Sequence, residues 1–140
     1  MAYLVLMESE ELTVTDRPAF RITARMRSFR YAVRGLRAAF QSEHNAWIHA
    51  AASTVVIAAG TVVGLSRLEW CLIVGAIMAV WVAELLNTAF EALCNVASPT
   101  RHPLVEQAKD IAAGAVLITA LGATVTGGLI FGPRLLTHLR

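Results

Sequence analysis

A chain of 140 residues with 56% hydrophobic and 16% charged residues and a mean hydropathy of +0.59 is too apolar for an ordinary soluble domain. It reads as one compact, all-α integral membrane unit with a net charge of only +2, and no nucleic-acid partner is expected. Residues 1–20 are expected to form a mobile tail. The apolar run from Tyr3 to Met7 has no basic segment before it and meets Glu8, Glu10 and Glu11 at once, so no cleaved signal is expected.

Residues 21–43 carry a helical pattern too polar to span. Met26, Phe29, Val33, Leu36 and Phe40 step by three or four, and Arg27, Arg30, Arg34 and Arg37 follow the same spacing one residue along. The pattern describes an amphipathic surface helix, with arginines on lipid phosphates and an apolar edge in the acyl boundary. A plain positive anchor with no catalytic part fits the same periodicity.

Three stretches are long and apolar enough to cross a bilayer, about 46–65, 69–97 and 110–132. The first contains Gly60 and Gly64, a GxxxG spacing that favours close helix packing. The second holds Glu84, Asn87 and Glu91. Positions seven apart return to nearly one helix face about 10 Å along the axis, so these residues form a polar stripe. Each ionisable group in a span costs about 2.5–3.5 kcal/mol on insertion scales and usually marks a substrate, ion or proton site. Neutral or paired acids that glue helices together are the alternative. This span overshoots a bilayer, which carries Glu91 and Asn95 toward water and leaves Glu84 deeper.

Seven arginines (Arg17, Arg21, Arg25, Arg27, Arg30, Arg34 and Arg37) precede the first span, and Arg101 and Lys109 lie between the second and third. The other side carries Arg67, Arg134 and Arg140, so the positive-inside rule places the N-terminus and the 98–109 loop in the cytoplasm. Lys109, the only lysine, stands beside Asp110 at the expected start of the third span, where a helix N-terminus favours anions. A snorkelling interface anchor is the plainer reading of a lone lysine. Together with Glu43, Glu91 and His102, however, Lys109 and Asp110 bring hard oxygen donors for Mg2+ and a cation for phosphate to one depth. No GxxxxGK[ST] loop and no protein-kinase glycine loop occurs, so any phosphate chemistry is built from helix side chains. Cys71 and Cys94 lie too far apart on one helix to pair, and no zinc-ligand spacing is present.

Glu84-Leu-Leu-Asn87-Thr-Ala-Phe-Glu91 and Ala108-Lys109-Asp110-Ile-Ala-Ala-Gly114-Ala-Val-Leu117 resemble the two signatures of the small bacterial integral-membrane diacylglycerol kinase and undecaprenol kinase family. The resemblance runs from about residue 29 to 133 and includes Arg34-Gly35-Leu36-Arg37, Glu43 and the Glu69-Trp70 pair. It implies a homotrimer in the bacterial cytoplasmic (inner) membrane, with three transmembrane helices and a surface helix per subunit. It also implies transfer of phosphate from MgATP to a lipid hydroxyl, in sites shared between subunits and facing the cytoplasm. By position, Glu84 resembles the catalytic base, Glu43 and Glu91 the metal carboxylates, and Tyr31, His102, Lys109 and Asp110 the ATP contacts. Asn87 matches the active-site stripe, and Arg37 and Glu69 match substrate or interface positions. Asn95 departs from the aspartate often found there. The run Glu43-His-Asn45-Ala-Trp-Ile48-His49 looks more like the undecaprenol kinase branch, with diacylglycerol as the other acceptor.

The chemistry suits an interface, because the lipid alcohol cannot leave the bilayer cheaply and MgATP cannot enter it. Phosphoryl transfer asks mainly for positioning and charge neutralisation. Two other classes fit less of the chain. An ion or proton pathway lined by the polar stripe leaves Lys109-Asp110 and the basic helix without a use. A phosphatase lacks a phosphoenzyme motif.

Overall fold

The structure, a computed structural model, describes residues 22–138. The expected N-terminal tail, Arg17, Arg21 and Arg140 lie outside the described residues. Helices account for the described chain in the order α1 (Ile22–Ser42), α2 (His44–Val63), α3 (Arg67–Ala97) and α4 (Pro103–His138), with no strand among the described residues. The fold is all-α, and α2, α3 and residues Pro103–Leu136 of α4 are each long and apolar enough to cross a membrane.

The chain divides into two compact units, Met1–Arg34 and Gly35–Arg140. In the first, Met26 and Phe29 are exposed, and the Arg34 guanidinium lies 5.8 Å from the centroid of the Tyr31 ring. This is cation–π range.

The second unit is built on α3. Its buried residues Ile73, Val80, Glu84, Asn87 and Cys94 recur at helical spacing and define one inward face. At about 1.5 Å per residue, the 31 residues of α3 extend about 46 Å, well beyond a hydrocarbon core of about 30 Å. Buried apolar side chains are few: Leu65, Ile73 and Ile130 form a small core with Val56, Val63, Trp70, Ile77 and Phe131 packed against it. Large apolar side chains such as Val62, Val96 and Leu129 stand exposed. That distribution suits a chain whose solvent is lipid.

The turn between α2 and α3 is tightly specified. The backbone N–H groups of Gly64 and Leu65 both donate to the Gly60 carbonyl, at 3.1 and 3.2 Å. Gly64 ends α2 at φ 70°, a left-handed conformation that glycine adopts without strain. A Cβ on Gly60 would come within 2.9 Å of both Leu65 and Trp70. The GxxxG spacing therefore divides its work: Gly60 permits close approach, whereas Gly64 terminates the helix. Ser66 and Glu69 then form a reciprocal capping box that opens α3.

Two boundaries differ from the expected spans. Helix α4 starts at Pro103, so Lys109 and Asp110 lie well inside it and not at its N-terminus. The favourable field of a helix end fades within the first turn, so Lys109 acts by its own charge. The helix also continues through Pro133 to His138, where hydropathy suggested an end at 132. Membrane helices accept such prolines because neighbouring groups re-satisfy the freed backbone.

Candidate functional site

Glu84 is the largest fully buried side chain, 1% exposed, and Asn87 one turn on is 9% exposed. Neither carboxylate oxygen of Glu84 nor Oδ1 of Asn87 has a hydrogen-bond partner among the described residues. Buried polar atoms are almost always paired, so orphans at this depth mark a place where something else binds. They border a cavity of about 280 Å³, lined on α2 by Asn45, Ile48 and His49 and on α4 by Ala113, Val116, Leu117 and Ala120. His49 Nε2 lies 3.7 Å from Glu84 Oε2, an ionic contact longer than a hydrogen bond.

Two further carboxylates, Glu43 and Glu91, act on Glu84 from outside the cavity lining. Glu43 is the single residue between α1 and α2; its N–H donates to the Ala39 carbonyl at 3.0 Å, and its extended backbone turns the chain. The Glu43 side chain makes no hydrogen bond to the first helical N–H groups, which leaves its oxygens available to a cation. Glu91, half-buried, continues the α3 stripe, and both Glu43 and Glu91 lie within Coulombic range of Glu84. An aromatic cluster fixes this corner. Phe40 packs on Trp47 and Trp81 with ring centroids 5.4 Å apart in each case, and Trp47 Nε1 donates to the Phe40 carbonyl at 3.1 Å.

Lys109 reaches across from α4 and donates from Nζ to Asn95 Oδ1 at 2.7 Å. The residue that departs from the resembled pattern is thus the lysine's direct partner. A neutral amide holds the ammonium in place and leaves its charge unneutralised. Asp110 is exposed beside it. His102 immediately precedes α4: its carbonyl accepts from Val105 and Glu106, and its Nδ1 accepts from the Leu104 N–H at 3.3 Å. Arg37 is exposed near the end of α1, and Tyr31 belongs to the first unit.

Glu69 does not join this group. It lies fifteen positions before Glu84, about 22 Å along α3. Its carboxylate takes Arg134 Nη1 at 2.6 Å and Nη2 at 2.9 Å while accepting from the Ser66 N–H at 2.8 Å. Its task in this structure is to staple α3 to α4 at the far end.

Sequence reasoning passed over His49 and Asn45 as site residues. The signal was present. Asn45, His49 and Ser53 recur every four residues in an apolar helix, a polar stripe on α2 to face the stripe on α3. Ser53 Oγ accepts from Trp81 Nε1 at 3.2 Å, which locks the two helices in that register.

Among the described residues no three His, Cys, Asp or Glu side chains converge as a ready-made metal cage. Two carboxylates are what Mg2+ commonly takes from a protein, the remaining positions going to phosphates and water, and Glu43 and Glu91 supply oxygen donors of that type.

Residues 30–131 match the family described as prokaryotic diacylglycerol kinase. The chain belongs to that family. An undecaprenol kinase of Bacillus subtilis is 41% identical over 109 residues, which cover 78% of this chain and 89% of that protein. A diacylglycerol kinase of Synechocystis sp. is 37% identical over 111 residues, 79% of this chain and 63% of the relative. A diacylglycerol kinase of Escherichia coli is 29% identical over 96 residues, 69% of this chain and 79% of that protein. Family membership and the three apolar helices make the chain a membrane-embedded lipid kinase, for which ATP-dependent phosphoryl transfer is the reaction. The matched region contains the stripe on α3, the Asn95–Lys109 contact and the half-buried Glu43.

Proposed function

We propose that the protein transfers the γ-phosphoryl group of MgATP to the hydroxyl of undecaprenol, at the cytoplasmic face of a bacterial inner membrane and as a homotrimer. The observation that carries this reading is the buried Glu84 carboxylate, which has no hydrogen-bond partner among the described residues. It borders a cavity between α2, α3 and α4 with Asn45, His49 and Asn87, within Coulombic range of Glu43 and Glu91, and the single lysine of the chain rests on a neutral amide.

Glu84 serves as general base: it accepts the proton of the acceptor hydroxyl as that oxygen attacks the γ-phosphorus and the bond to ADP breaks. Asn87 and Asn45 hold the hydroxyl at the cavity. Lys109 and Asp110 bind the nucleotide, with Lys109 offering a point charge to phosphate oxygens and Asp110 an acceptor. His102 contributes at the same nucleotide, and Arg37 lies on the surface helix at headgroup depth. Glu43 and Glu91 hold Mg2+, which supplies charge neutralisation on the transferring phosphate. Glu69 works at the opposite interface through its pair with Arg134.

The arginine distribution supports the orientation, and the exposed apolar faces of α3 and α4 support association with further copies. An apolar groove of about 600 Å³ runs from His49 along α2, α3 and α4 to Leu135 and suits a long lipid tail. The 41% identity to an undecaprenol kinase favours the polyprenyl alcohol. Diacylglycerol is the second acceptor, favoured by the names of the other relatives. Purified protein given Mg2+ and γ-labelled ATP with each lipid in turn tests both. Faster labelling of undecaprenol supports the proposal, faster labelling of diacylglycerol reverses the order, and no labelled lipid defeats the acceptor class.

A further inference from the structure

The buried Glu84 is surrounded by charge of its own sign. Glu43 and Glu91 act on it from the α1–α2 junction and from α3, and α4 presents only Ala113, Val116, Leu117 and Ala120 to the shared cavity. The exception is His49 of α2, whose Nε2 lies 3.7 Å from Glu84 Oε2 with its side chain 17% exposed. This imidazole is held on purpose-built packing. The Trp81 ring lies against it at a centroid distance of 6.4 Å, and Trp81 is itself anchored by its bond to Ser53 Oγ. The separation exceeds a charge-assisted hydrogen bond by about 1 Å, a gap that side-chain rotation can close. His49 also borders both the cavity beside Glu84 and the longer apolar groove.

A general base in a membrane has a difficulty after each turnover. Once Glu84 has taken a proton it must pass it on before it can act as a base again. Water reaches it poorly at 1% exposure, so the proton needs another route out.

We propose that His49 is a positioning residue for the reaction: its imidazole accepts from the protonated Glu84 carboxyl, orients it and relieves it of the proton taken from the acceptor alcohol. The inference rests on the reading of Glu84 as the base of a lipid kinase. The proton ledger closes without a further reagent. The alcohol O–H bond breaks and its proton goes to a Glu84 oxygen as the new O–P bond forms and the γ-phosphorus–ADP bond breaks. The proton then moves to His49 Nε2, which must carry its resting hydrogen on Nδ1, and the imidazolium releases a proton to solvent or buffer.

The experiment compares His49→Ala and His49→Gln with the parent protein in the same detergent or bilayer, after checking that each keeps the parent's oligomer profile. Initial rates are measured with ATP and lipid varied separately and with imidazole added. The expected result is a kcat at least about tenfold lower in both variants, with the KM for ATP close to the parent's. Added imidazole restores part of kcat to His49→Ala, in the space the side chain vacates, and does nothing for Glu84→Gln. His49→Gln, which can donate to Glu84 but cannot take a proton, stays slow.

Parent-like kcat in either variant, or a folded His49→Ala that ignores imidazole, overturns the inference. If His49→Ala fails to fold, the kcat of His49→Gln decides alone. A parent protein that phosphorylates no lipid alcohol defeats the proposed function instead, and the two failures are thereby distinct.

Discussion

The two ends of the α3–α4 pair treat their charged side chains in opposite ways. At the Glu69 end the carboxylate is fully engaged: it caps α3 through Ser66 and takes a bidentate guanidinium from Arg134. At the Glu84 end neither the carboxylate nor Asn87 Oδ1 has a hydrogen-bond partner among the described residues, Glu43 makes no cap hydrogen bond, and Lys109 rests on a neutral amide. A pair with all donors and acceptors matched holds helices together but has nothing left to offer a ligand. A group of unmatched oxygens and one uncancelled ammonium costs stability and is ready for a phosphate, a cation and a hydroxyl.

The comparison is broken most forcefully at Glu84. In Glu84→Gln the base is gone while shape and polarity are nearly kept, so kcat is expected to fall by about 10²–10⁴. Expression and oligomer profile are expected to hold, because no existing hydrogen bond is lost. Initial-rate assays beside size-exclusion profiles check this. Near-parent turnover in a folded variant would remove Glu84 from the mechanism.

Lys109→Ala comes next. Hydrogen bonds to charged groups are worth about 1.5–3 kcal/mol, so the KM for ATP is expected to rise about tenfold or more while that for the lipid stays near the parent value. Lys109→Arg is expected to recover only part, since a planar guanidinium cannot replace a compact ammonium against both Asn95 and phosphate. Parent-like ATP kinetics in Lys109→Ala would reduce the lysine to an interface anchor.

The opposite signature is expected at the far end. Glu69→Gln weakens the pair with Arg134 and the contacts to Ser66 together. Thermal inactivation in detergent is expected to come at lower temperature, and kcat and both KM values at permissive temperature to stay near the parent's. A loss of turnover without loss of stability would move Glu69 back into the substrate site.

Much of this contrast was legible before any coordinates. The seven-residue return from Glu84 to Glu91 put the stripe on one face, and that face is the inward one. What escaped has physical reasons. Hydropathy reports where the bilayer is and not where a helix ends, so Glu106, Gln107 and Lys109 hid the true start of α4 at Pro103. Pro133 hid its true end, because a proline ends helices in water more readily than in a membrane. The Glu69–Arg134 pair joins residues 65 positions apart, a relation that no local pattern encodes. His49 was visible only as one member of a sparse stripe, and its meaning appears when α2 is laid against α3.

The smallest expected effect is also the most specific. Asn95 accepts from the Lys109 ammonium at 2.7 Å, in an exposed setting at the end of α3. Asn95→Asp keeps the size and the acceptor oxygen and adds one negative charge. The lysine then has a permanent counter-ion that competes with ATP phosphates. Exposed ion pairs are worth about 0.2–1 kcal/mol, so the KM for ATP is expected to rise only about two- to fivefold, with kcat and the lipid KM nearly unchanged. Screening supplies the check on the cause: the difference between Asn95→Asp and the parent is expected to shrink as salt is raised. A KM for ATP that falls in the variant would mean that the added carboxylate helps hold the metal, and the neutral amide would then be a weakness of this site and not the means by which Lys109 keeps its charge for phosphate.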